Sequence, residues 1–465
     1  MTRMRRVSRS LAVVSALLCS ALGLIAAARQ TPVTSPTPQA LASIWDAEHV
    51  SPPLPPLLDH DEVERRMRAA GAQDPSLFHF ERVGQSLEGR SIDMITVGHG
   101  PFGVLLWSQM HGDEPTATAA LFDVLEYLHR HAADASVQQL LSSLTLYIVP
   151  MLNPDGAERY QRRNAQGIDI NRDALRLQTP EGAVLKALRD RLKPQLGFNL
   201  HNENWGTSVG DPPKPATISL LAVAYDKAHA VDPTRQLITK KLCAVIREAL
   251  EPFIPGQIGR YDEDFEVRAF GDNLTLWGTP VVLIETGPYQ SPEPDPPTVR
   301  LNFIGIMSAL DALATGSVEH ADPDRYDSLP RNQPNRELYV LVNDATVLTG
   351  TGVPPFTADI GISAVRRVRV VNGARQIELD AKISDLGDLR TDGALRTIDA
   401  TGLVAAPLWN ADLHAGQDVQ LPEWSKAPSP VTIAPGQPGE LVLLRPEGDP
   451  SAPAAHFVVE TVLKY

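Results

Sequence analysis

The most informative residues of this chain are a histidine and two carboxylates that follow a short apolar run. The segment His111-Gly112-Asp113-Glu114 comes directly after GVLLWSQM. A histidine and a carboxylate three positions apart can converge on one metal ion where a strand turns into a helix, and both ligand types suit zinc. A single pair of this kind also arises by chance on solvated turns, so the interpretation depends on further ligands elsewhere in the chain.

Two more residues support a metal site. His201 stands near the end of the apolar segment FNLHNEN, and Glu285 stands near the end of VVLIETG, where a lone carboxylate on an apolar strand would otherwise be costly. Two histidines and one glutamate leave a fourth ligand position open for water, which is the pattern of catalytic zinc sites. A separate carboxylate beside that water can act as general base. We therefore predict one zinc ion per chain.

A cluster of basic and amide side chains lies between these segments. The tight turn Asn153-Pro154-Asp155-Gly156 is followed by Arg162, Arg163, Asn171 and Arg172. In a chain of formal net charge −14, this concentration of guanidinium groups suits an anionic substrate group or a developing oxyanion. A solvated basic face is the commoner role of a charge run, but the neighbouring metal signature favours substrate binding.

Short apolar runs alternate with amphipathic stretches around these residues. Strand candidates are Val104–Gln109, Leu144–Val149, Leu196–Leu200 and Pro280–Ile284. Helix candidates are Ala117–His129, Glu181–Arg191, Pro233–Leu250 and Val299–Ala314. This alternation predicts an α/β layer fold with a parallel or mixed sheet, in which ligands bind just beyond the ends of the strands.

The chain divides into regions of different composition. We predict a signal peptide (1–28), a Pro-rich lead-in (29–58), a catalytic α/β domain (59–316), a polar linker (317–336) and a small all-β accessory domain (337–465). The all-β prediction rests on short apolar runs separated by Gly, Pro and Asp turns, without an amphipathic helix. The lead-in is rich in Pro, Thr and Ser, which is typical of a flexible segment or one that orders on contact.

The first residues have the features of an export signal. Residues 1–9 carry four arginines, Leu11–Ala28 is largely apolar, and three alanines at its end suit a signal peptidase. We expect a periplasmic or secreted protein, or a membrane-anchored one if the leader remains. Cys19 lies in the leader, so the mature chain would have the single thiol Cys243 and no internal disulfide.

Composition also narrows the choice of partners. Hydrophobic residues make up 43% of the 465 residues and charged residues 21%, which excludes a disordered chain or a coiled coil. The net charge of −14 opposes binding to phosphate backbones, so we expect no nucleic-acid partner. Apart from the leader, no apolar run is long enough to suggest a stable membrane span.

In their order along the chain, HGDE, NPDG…RRN…GIDINR, NLH and IETG resemble the zinc carboxypeptidase family typified by carboxypeptidase A. The resemblance covers residues 78–316 and implies a three-layer α/β/α domain with a mixed sheet. The implied substrate is a peptide or acyl-amino acid with a free carboxylate. By motif, the zinc ligands would be His111, Glu114 and His201, and Glu285 would be the general acid/base that activates the zinc water.

The resemblance also implies roles for the residues between the ligands. Arg162 would polarise the scissile carbonyl and steady the oxyanion, while Asn171 and Arg172 would bind the terminal carboxylate of the substrate. Asp169 would support the same turn. Tyr261 is the nearest candidate for the mobile tyrosine of this family.

The sequence departs from the family pattern in ways that leave alternatives open. His111 and His201 are 90 positions apart, a shorter spacing than in the digestive enzymes of this family. Asn202-Glu203-Asn204 replaces the usual Ser-Tyr run after the third ligand. We expect Glu203 not to be a ligand. The stretch EDFEVRAFGDNLTLWG, with Arg268 and Phe270, is expected to line the pocket for the terminal side chain. The sequence leaves open whether this pocket prefers an apolar or an acidic terminal side chain of the substrate. An N-acyl amino-acid deacylase, a peptidoglycan-peptide amidase and an inactive zinc-peptidase-like binding protein are the alternative functions.

The C-terminal region resembles another family. LYVLVNDATVLTGTGVPPFTADIGI, LRTIDATGLVAAP and TIAPGQPGELVLLRP are similar to the small β-sandwich of amidohydrolases. The HxH metal motif of those enzymes is replaced here by the lone His414, and their catalytic barrel is missing. We therefore expect a β module without catalytic residues of its own.

Overall fold

The computed structural model describes residues 34–51, 58–223, 233–262, 264–288, 296–334, 336–347, 354–371, 374–420, 433–448 and 456–465. The predicted signal peptide, with Cys19, lies outside these ranges. Within them, no helix combines the length and the apolar character that crossing a membrane would require.

A mixed eight-stranded sheet forms the centre of the first domain. The strands up to residue 286 are β1 (Phe78–Gln85), β2 (Ser91–Gly98), β3 (Phe102–Ser108), β4 (Leu144–Val149), β5 (Leu196–Asn202), β6 (Ser208–Val209), β7 (Lys214–Pro215), β8 (Ile218–Ala222), β9 (Ile258–Arg260) and β10 (Val281–Thr286). The order is β1-β2-β4-β3-β5-β10-β8-β9, and β6 and β7 form a separate ribbon. Because β4, β3, β5 and β10 run parallel, their carboxyl ends meet at one edge. The four predicted strands are confirmed.

Helices cover both faces of this sheet. They are α1 (Pro38–Glu48), α2 (His60–Gln73), α3 (Thr116–Arg130), α4 (Ala135–Ser143), α5 (Pro154–Arg159), α6 (Pro180–Leu192), α7 (Pro233–Leu250), α8 (Phe270–Leu276), α9 (Pro296–Thr315) and α10 (Asp324–Asp327). The four predicted helices are confirmed. Their ends follow local chemistry: α6 begins at Pro180, and the Thr179 hydroxyl accepts a hydrogen bond from the Gly182 N–H at 3.0 Å.

Side-chain alternation along the strands builds two apolar cores. On β3, Leu106 packs into the core that includes residues of α3, α7 and α9, while Leu105 and Trp107 pack into the core that includes residues of α6 and α8. All three side chains are fully buried, and each contributes about 1.5–3 kcal/mol of transfer free energy. The α/β prediction is thus confirmed as three layers, helix–sheet–helix. Cys243 is a buried free thiol, as predicted.

Two segments predicted to be connectors pack against this domain. In the lead-in, α1 buries Leu41 and Trp45, and the Trp45 indole N–H donates to Asp123 at 2.7 Å. In the predicted linker, Tyr326 is fully buried and its hydroxyl accepts a hydrogen bond from the Ala222 N–H. A few apolar side chains in otherwise polar segments are enough to fix both segments to the core.

Backbone hydrogen bonds connect the two domains close to the end of β5. The Ser208 N–H donates to the Gln333 carbonyl at 3.0 Å, and the Gln333 N–H donates back at 2.8 Å. The Arg336 N–H donates to the Gly206 carbonyl at 3.0 Å. The last residues before the second domain therefore lie against the loop that follows β5.

The second domain is all-β, as predicted. Its strands are β11 (Glu337–Val347), β12 (Phe356–Val371), β13 (Ala374–Gly387), β14 (Gly393–Asp399), β15 (Val404–Pro407), β16 (Asp418–Gln420), β17 (Leu441–Glu447) and β18 (His456–Leu463). They form one sheet of order β13-β12-β11-β15-β17-β18-β16, with β14 also paired to β11. β11 pairs with β12 only as far as Ile362, whereas β12 and β13 stay paired to Val371. Residues 364–371 and 374–381 thus form a two-stranded extension, which we call the arm.

Candidate active site

The predicted chemistry-bearing residues lie at the carboxyl ends of three parallel strands. His111 follows β3, His201 lies on β5, and Glu285 lies on β10. In the parallel pairing of β5 and β10, His201 and Glu285 are register partners. The sheet therefore fixes the distance between a candidate ligand and the candidate base through backbone hydrogen bonds.

The loop that carries His111 and Glu114 requires a close approach between backbones. A Cβ at Gly112 would lie 2.0 Å from the carbonyl carbon of Gly156, at the start of α5. Gln109, which precedes the loop, has a φ of 48°, a conformation that residues other than glycine rarely adopt. Asn153 secures the contact from the other side, because its amide donates to the Met110 carbonyl and its oxygen caps α5 at the Gly156 N–H.

Three ligand atoms converge at this edge. Nδ1 of His111 lies 2.8 Å from Oε1 of Glu114, and Nδ1 of His201 lies 2.7 Å from Oε2 of the same carboxylate. The two Nδ1 atoms are 3.1 Å apart, and all three side chains are buried. Atoms bound to one tetrahedral zinc ion would be roughly 3.3 Å from each other. The set of two imidazoles and one carboxylate therefore fits zinc and leaves a fourth position open.

Asp169 orients the first of these ligands. Its Oδ1 lies 3.1 Å from Nε2 of His111, which places the ring proton on Nε2 and the lone pair of Nδ1 toward the cluster. Its Oδ2 accepts a hydrogen bond from Nε of Arg162 at 3.0 Å. Burial opposes ionisation of Asp169, but His111 and Arg162 outweigh it and hold the pKa of this carboxyl well below its usual range. Asp169 thus links the metal cluster to the candidate oxyanion-binding arginine.

Glu285 is buried beside the cluster and forms no ion pair with another described residue. Burial first, and then the charges of Glu114 and Glu203, raise the pKa of Glu285 well above its usual range, while Arg162 lowers it. A carboxylate in such surroundings is a stronger base than an exposed glutamate, which suits proton transfer. Glu114 behaves in the opposite way: despite its burial, the two histidines hold its pKa below the usual range.

A cavity of 710 Å³ opens from the cluster, and we call it the clamp cavity. Asn171 and Arg172 lie on its wall with Arg162 and Glu285. The amide oxygen of Asn171 accepts a hydrogen bond from the Phe270 N–H at 2.8 Å, so its NH₂ group is the end that can donate to a ligand. The Arg172 guanidinium donates to the Asn171 carbonyl at 2.8 Å. The two side chains together suit a carboxylate.

Tyr261 also lines the clamp cavity. The nearby Glu285 carboxylate and burial raise the pKa of Tyr261, so its hydroxyl remains a protonated hydrogen-bond donor. The structure therefore brings the eight residues predicted to bind metal, catalyse or bind substrate to one cavity or to the cluster beside it.

Comparison with known proteins agrees with this arrangement. Residues 63–214 match the model of the family described as zinc carboxypeptidase. The chain contains a zinc carboxypeptidase domain. His111, Glu114, Arg162 and His201 fall within the matched residues, whereas Glu285 lies beyond them.

The curated relatives match a part of this chain. Carboxypeptidase SOL1 of Arabidopsis thaliana is 26% identical over 202 residues, which are 37% of this chain and 41% of that protein. Carboxypeptidase E of Caenorhabditis elegans is 31% identical over 133 residues, which are 24% of this chain and 28% of that protein. The matches thus span less than half the length of these relatives. A solved metallo-carboxypeptidase from Burkholderia cenocepacia is similar over 55% of this chain and 69% of that one, with 19% identity and a TM-score of 0.44.

The wall of the clamp cavity differs in part from the sequence expectation. Five residues of the expected stretch do line it, namely Asp264, Phe265, Glu266, Ala269 and Asp272. Phe270, however, is fully buried in the core of the carboxypeptidase domain, and the exposed Arg268 is paired with Glu266. The expectation that Phe270 and Arg268 form the pocket was therefore wrong, because α8 begins at Phe270 and turns its side chain into the core.

Asp272 lies in the stretch that was expected to line the pocket, but the sequence analysis did not single it out. Of the acidic residues on this wall, Asp262 and Asp264 are exposed and Glu266 is paired with Arg268. Asp272 is half-buried, and burial raises its pKa to about 7. Its position one turn into α8 follows from where that short helix starts, and no signal in the sequence specified that start.

Glu203 lies outside the metal cluster, in line with the expectation. Its carboxylate accepts hydrogen bonds from the Ser219 hydroxyl at 2.6 Å and from the Asn332 amide at 2.8 Å. Burial raises the pKa of Glu203 to about 7. Asn332 belongs to the segment between the domains, so this segment reaches the surroundings of the active site.

Proposed function

We propose that this chain is an exported zinc metallocarboxypeptidase that hydrolyses C-terminal peptide bonds. One observation carries the proposal: the His111-Glu114-His201 cluster, the buried base Glu285 and the carboxylate-binding pair Asn171 and Arg172 border one cavity. A substrate held by its terminal carboxylate would place its last peptide bond between that pair and the cluster.

The roles of the side chains follow from their chemistry. His111, Glu114 and His201 would hold the zinc ion, which when bound would supply a Lewis acid that polarises a carbonyl and lowers the pKa of water. Glu285 accepts the proton of the attacking water and later gives it to the leaving amine, which completes the cleavage without a net change in Glu285. Arg162, fixed by Asp169, stabilises the negative charge that develops on the carbonyl oxygen. Asn171 and Arg172 orient the substrate.

The pair Asn171 and Arg172 predicts that cleavage depends on a free C-terminal carboxylate of the substrate. We expect one zinc ion per chain and stepwise release of C-terminal residues, with amidated peptides cleaved at least a hundredfold more slowly because the charge-assisted bonds to Arg172 are lost. Metal analysis of the purified protein and mass spectrometry of paired free and amidated peptides would test this. Equal rates of cleavage for both forms would contradict the role of Asn171 and Arg172 in binding the terminal carboxylate.

Two other functions on the same site give different results in this assay. An N-acyl amino-acid deacylase or a peptidoglycan-peptide amidase would bind zinc but leave ordinary peptides intact, and would act on acyl-amino acids or on muropeptides containing D-amino acids. An inactive binding protein would bind zinc and hydrolyse neither class. The retention of Glu285 beside all three candidate ligands favours a catalyst.

Asp272 predicts a preference for basic C-terminal residues. With a pKa raised to about 7, it is mostly neutral below this pH and ionised above it. The kcat/KM for a Lys-terminated peptide should therefore rise as the pH increases through 7, relative to a Phe-terminated peptide. Asp272→Asn should reduce the Lys preference about tenfold and flatten this pH dependence. An unchanged Lys-to-Phe ratio in the variant would exclude Asp272 as the selecting group.

Export rests on residues 1–28, with their arginines, apolar run and small residues at the end. We propose that this leader directs the chain to the periplasm or the outside of the cell.

A further inference from the structure

A second cavity, of 340 Å³, borders the metal cluster and is walled by both domains. Its catalytic-domain wall includes Tyr160 and Trp205, and its other wall is made by Ala364, Val365 and Arg366 of the arm. We call it the arm cavity. Side chains of the accessory domain therefore lie at the active site, although they are more than 160 positions from His201 in the sequence.

The arm is held against the catalytic domain by arginine contacts. The Arg366 guanidinium lies 4.0 Å from the ring centroid of Trp205, a cation–π distance, and is hydrogen-bonded to the Tyr160 hydroxyl. Arg375 on the paired strand donates to the Ala157 carbonyl at 2.7 Å. These contacts fix the position of Arg366, and a planar guanidinium with five N–H donors can bind several acceptors at once.

The two cavities meet at the cluster, because Glu114 and Arg162 line both of them. Asn171 and Arg172 lie only on the clamp side. If the proposed function is right, the residue to be released occupies the clamp cavity. The part of the substrate on the N-terminal side of the scissile bond would then lie toward the arm cavity.

Charged side chains of both signs line the arm cavity. Two of its carboxylates already have partners, since Glu114 is shared by two histidines and Glu203 bonds to Ser219 and Asn332. The third carboxylate is Asp113. Of the two guanidinium groups in the lining, Arg162 is paired with Asp169, whereas the contacts of Arg366 described above are with the uncharged Trp205 and Tyr160 side chains. The positive charge of Arg366 on this wall therefore suits an anionic group of the substrate.

We propose that Arg366 is a substrate-binding residue that selects an acidic side chain on the residue preceding the scissile bond. The selectivity would come from the accessory domain, while the carboxypeptidase domain supplies the chemistry. This inference rests on the proposed function, because it needs the clamp cavity to hold the released residue.

Peptides that share one C-terminal residue and carry Glu, Gln or Lys immediately before it would test the inference. We expect the wild type to show a kcat/KM at least tenfold higher for Glu than for Lys. Arg366→Gln should lose this preference, measured as the ratio of kcat/KM for the Glu peptide to that for the Lys peptide. Arg366→Glu should invert the preference, and Arg366→Lys should retain part of it.

Arg367→Ala is the matched control. Arg367 is the next residue on the arm, is exposed, does not line the cavity, and pairs with Asp380 at 2.7 Å. This variant should keep the Glu-over-Lys preference of the wild type. Thermal unfolding of each variant would show whether the arm still folds.

Binding provides a readout that does not depend on turnover. In a Glu285→Gln background, calorimetry should show the Glu peptide binding about tenfold more weakly when Arg366 is also replaced by Gln. If the wild type and Arg366→Gln showed the same preference for the Glu peptide, in both rate and binding, the role of Arg366 would be excluded. The proposed function would not be affected by that result. Failure of the wild type to cleave any peptide of the set would overturn the proposed function, and the inference with it.

Discussion

Glu285→Gln is expected to abolish turnover while leaving zinc bound. The substitution keeps the shape of the side chain and its place beside His201 on β10, but removes the group that accepts the proton of the attacking water. A positioned base typically contributes 10²- to 10⁴-fold, so we expect a loss of kcat of at least this size. Metal content measured by mass spectrometry should stay at the wild-type value, because the three candidate ligands are untouched.

Glu337→Gln is a suitable control for this variant. Glu337 is likewise a buried glutamate, and burial raises its pKa to about 8, but it lies at the start of β11 and not at the cluster. The Glu337→Gln variant should keep the hydrolytic activity of the wild type. Near-normal hydrolysis by Glu285→Gln would contradict the assignment of the base.

The pH dependence of the wild type provides a second check on Glu285. Burial, Glu114 and Glu203 raise its pKa, so the carboxylate form that accepts a proton is lost at a higher pH than for an exposed glutamate. The kcat/KM should therefore fall on acidification before ordinary carboxylates titrate. Glu285→Gln should lack this acid limb in its residual activity.

His111→Ala is expected to remove zinc and activity together. The substitution deletes one of three converging ligand atoms and also leaves Asp169 without its histidine partner. Loss of a hydrogen-bonding group behind a ligand already costs 10- to 100-fold in metal affinity, so loss of the ligand itself should exceed that. Dialysis against a range of buffered zinc concentrations would measure the change.

His129→Ala provides the comparison for a histidine that does not bind metal. His129 lies near the end of α3, where its ring bonds to Gln73 and lies 3.7 Å from Asp74. We expect this variant to keep its zinc content. If His111→Ala retained stoichiometric zinc, the cluster would not be the metal site.

The position of the metal cluster could be predicted because it depends on local signals. His111, His201 and Glu285 each follow or end an apolar run, and parallel strands bring their carboxyl ends to one edge of the sheet. Periodicity predicted the strands and the helices well enough to place these residues. The order of the motifs further indicated that Asp169 supports its turn and that Arg162 stabilises the oxyanion.

The walls of the two cavities could not be predicted in the same way. Asp272 depends on where a seven-residue helix begins, and the sequence around it has no cap that specifies the start. Arg366 depends on an arm from another domain, whose placement comes from contacts with Trp205 and Tyr160 rather than from any local pattern. Substrate selection thus depends on long-range packing, whereas the metal site follows from strand ends.

The backbone pairing between Ser208 and Gln333 has a thermodynamic consequence. It joins the loop after His201 to the chain that enters the second domain, and the Trp205 ring packs 5.7 Å from Tyr339 beyond it. Such contacts couple the two domains energetically, because unfolding one domain removes contacts that stabilise the other. Zinc bound to one domain would therefore raise the melting temperature of both, so the β module gains resistance to heat from an ion that it does not touch.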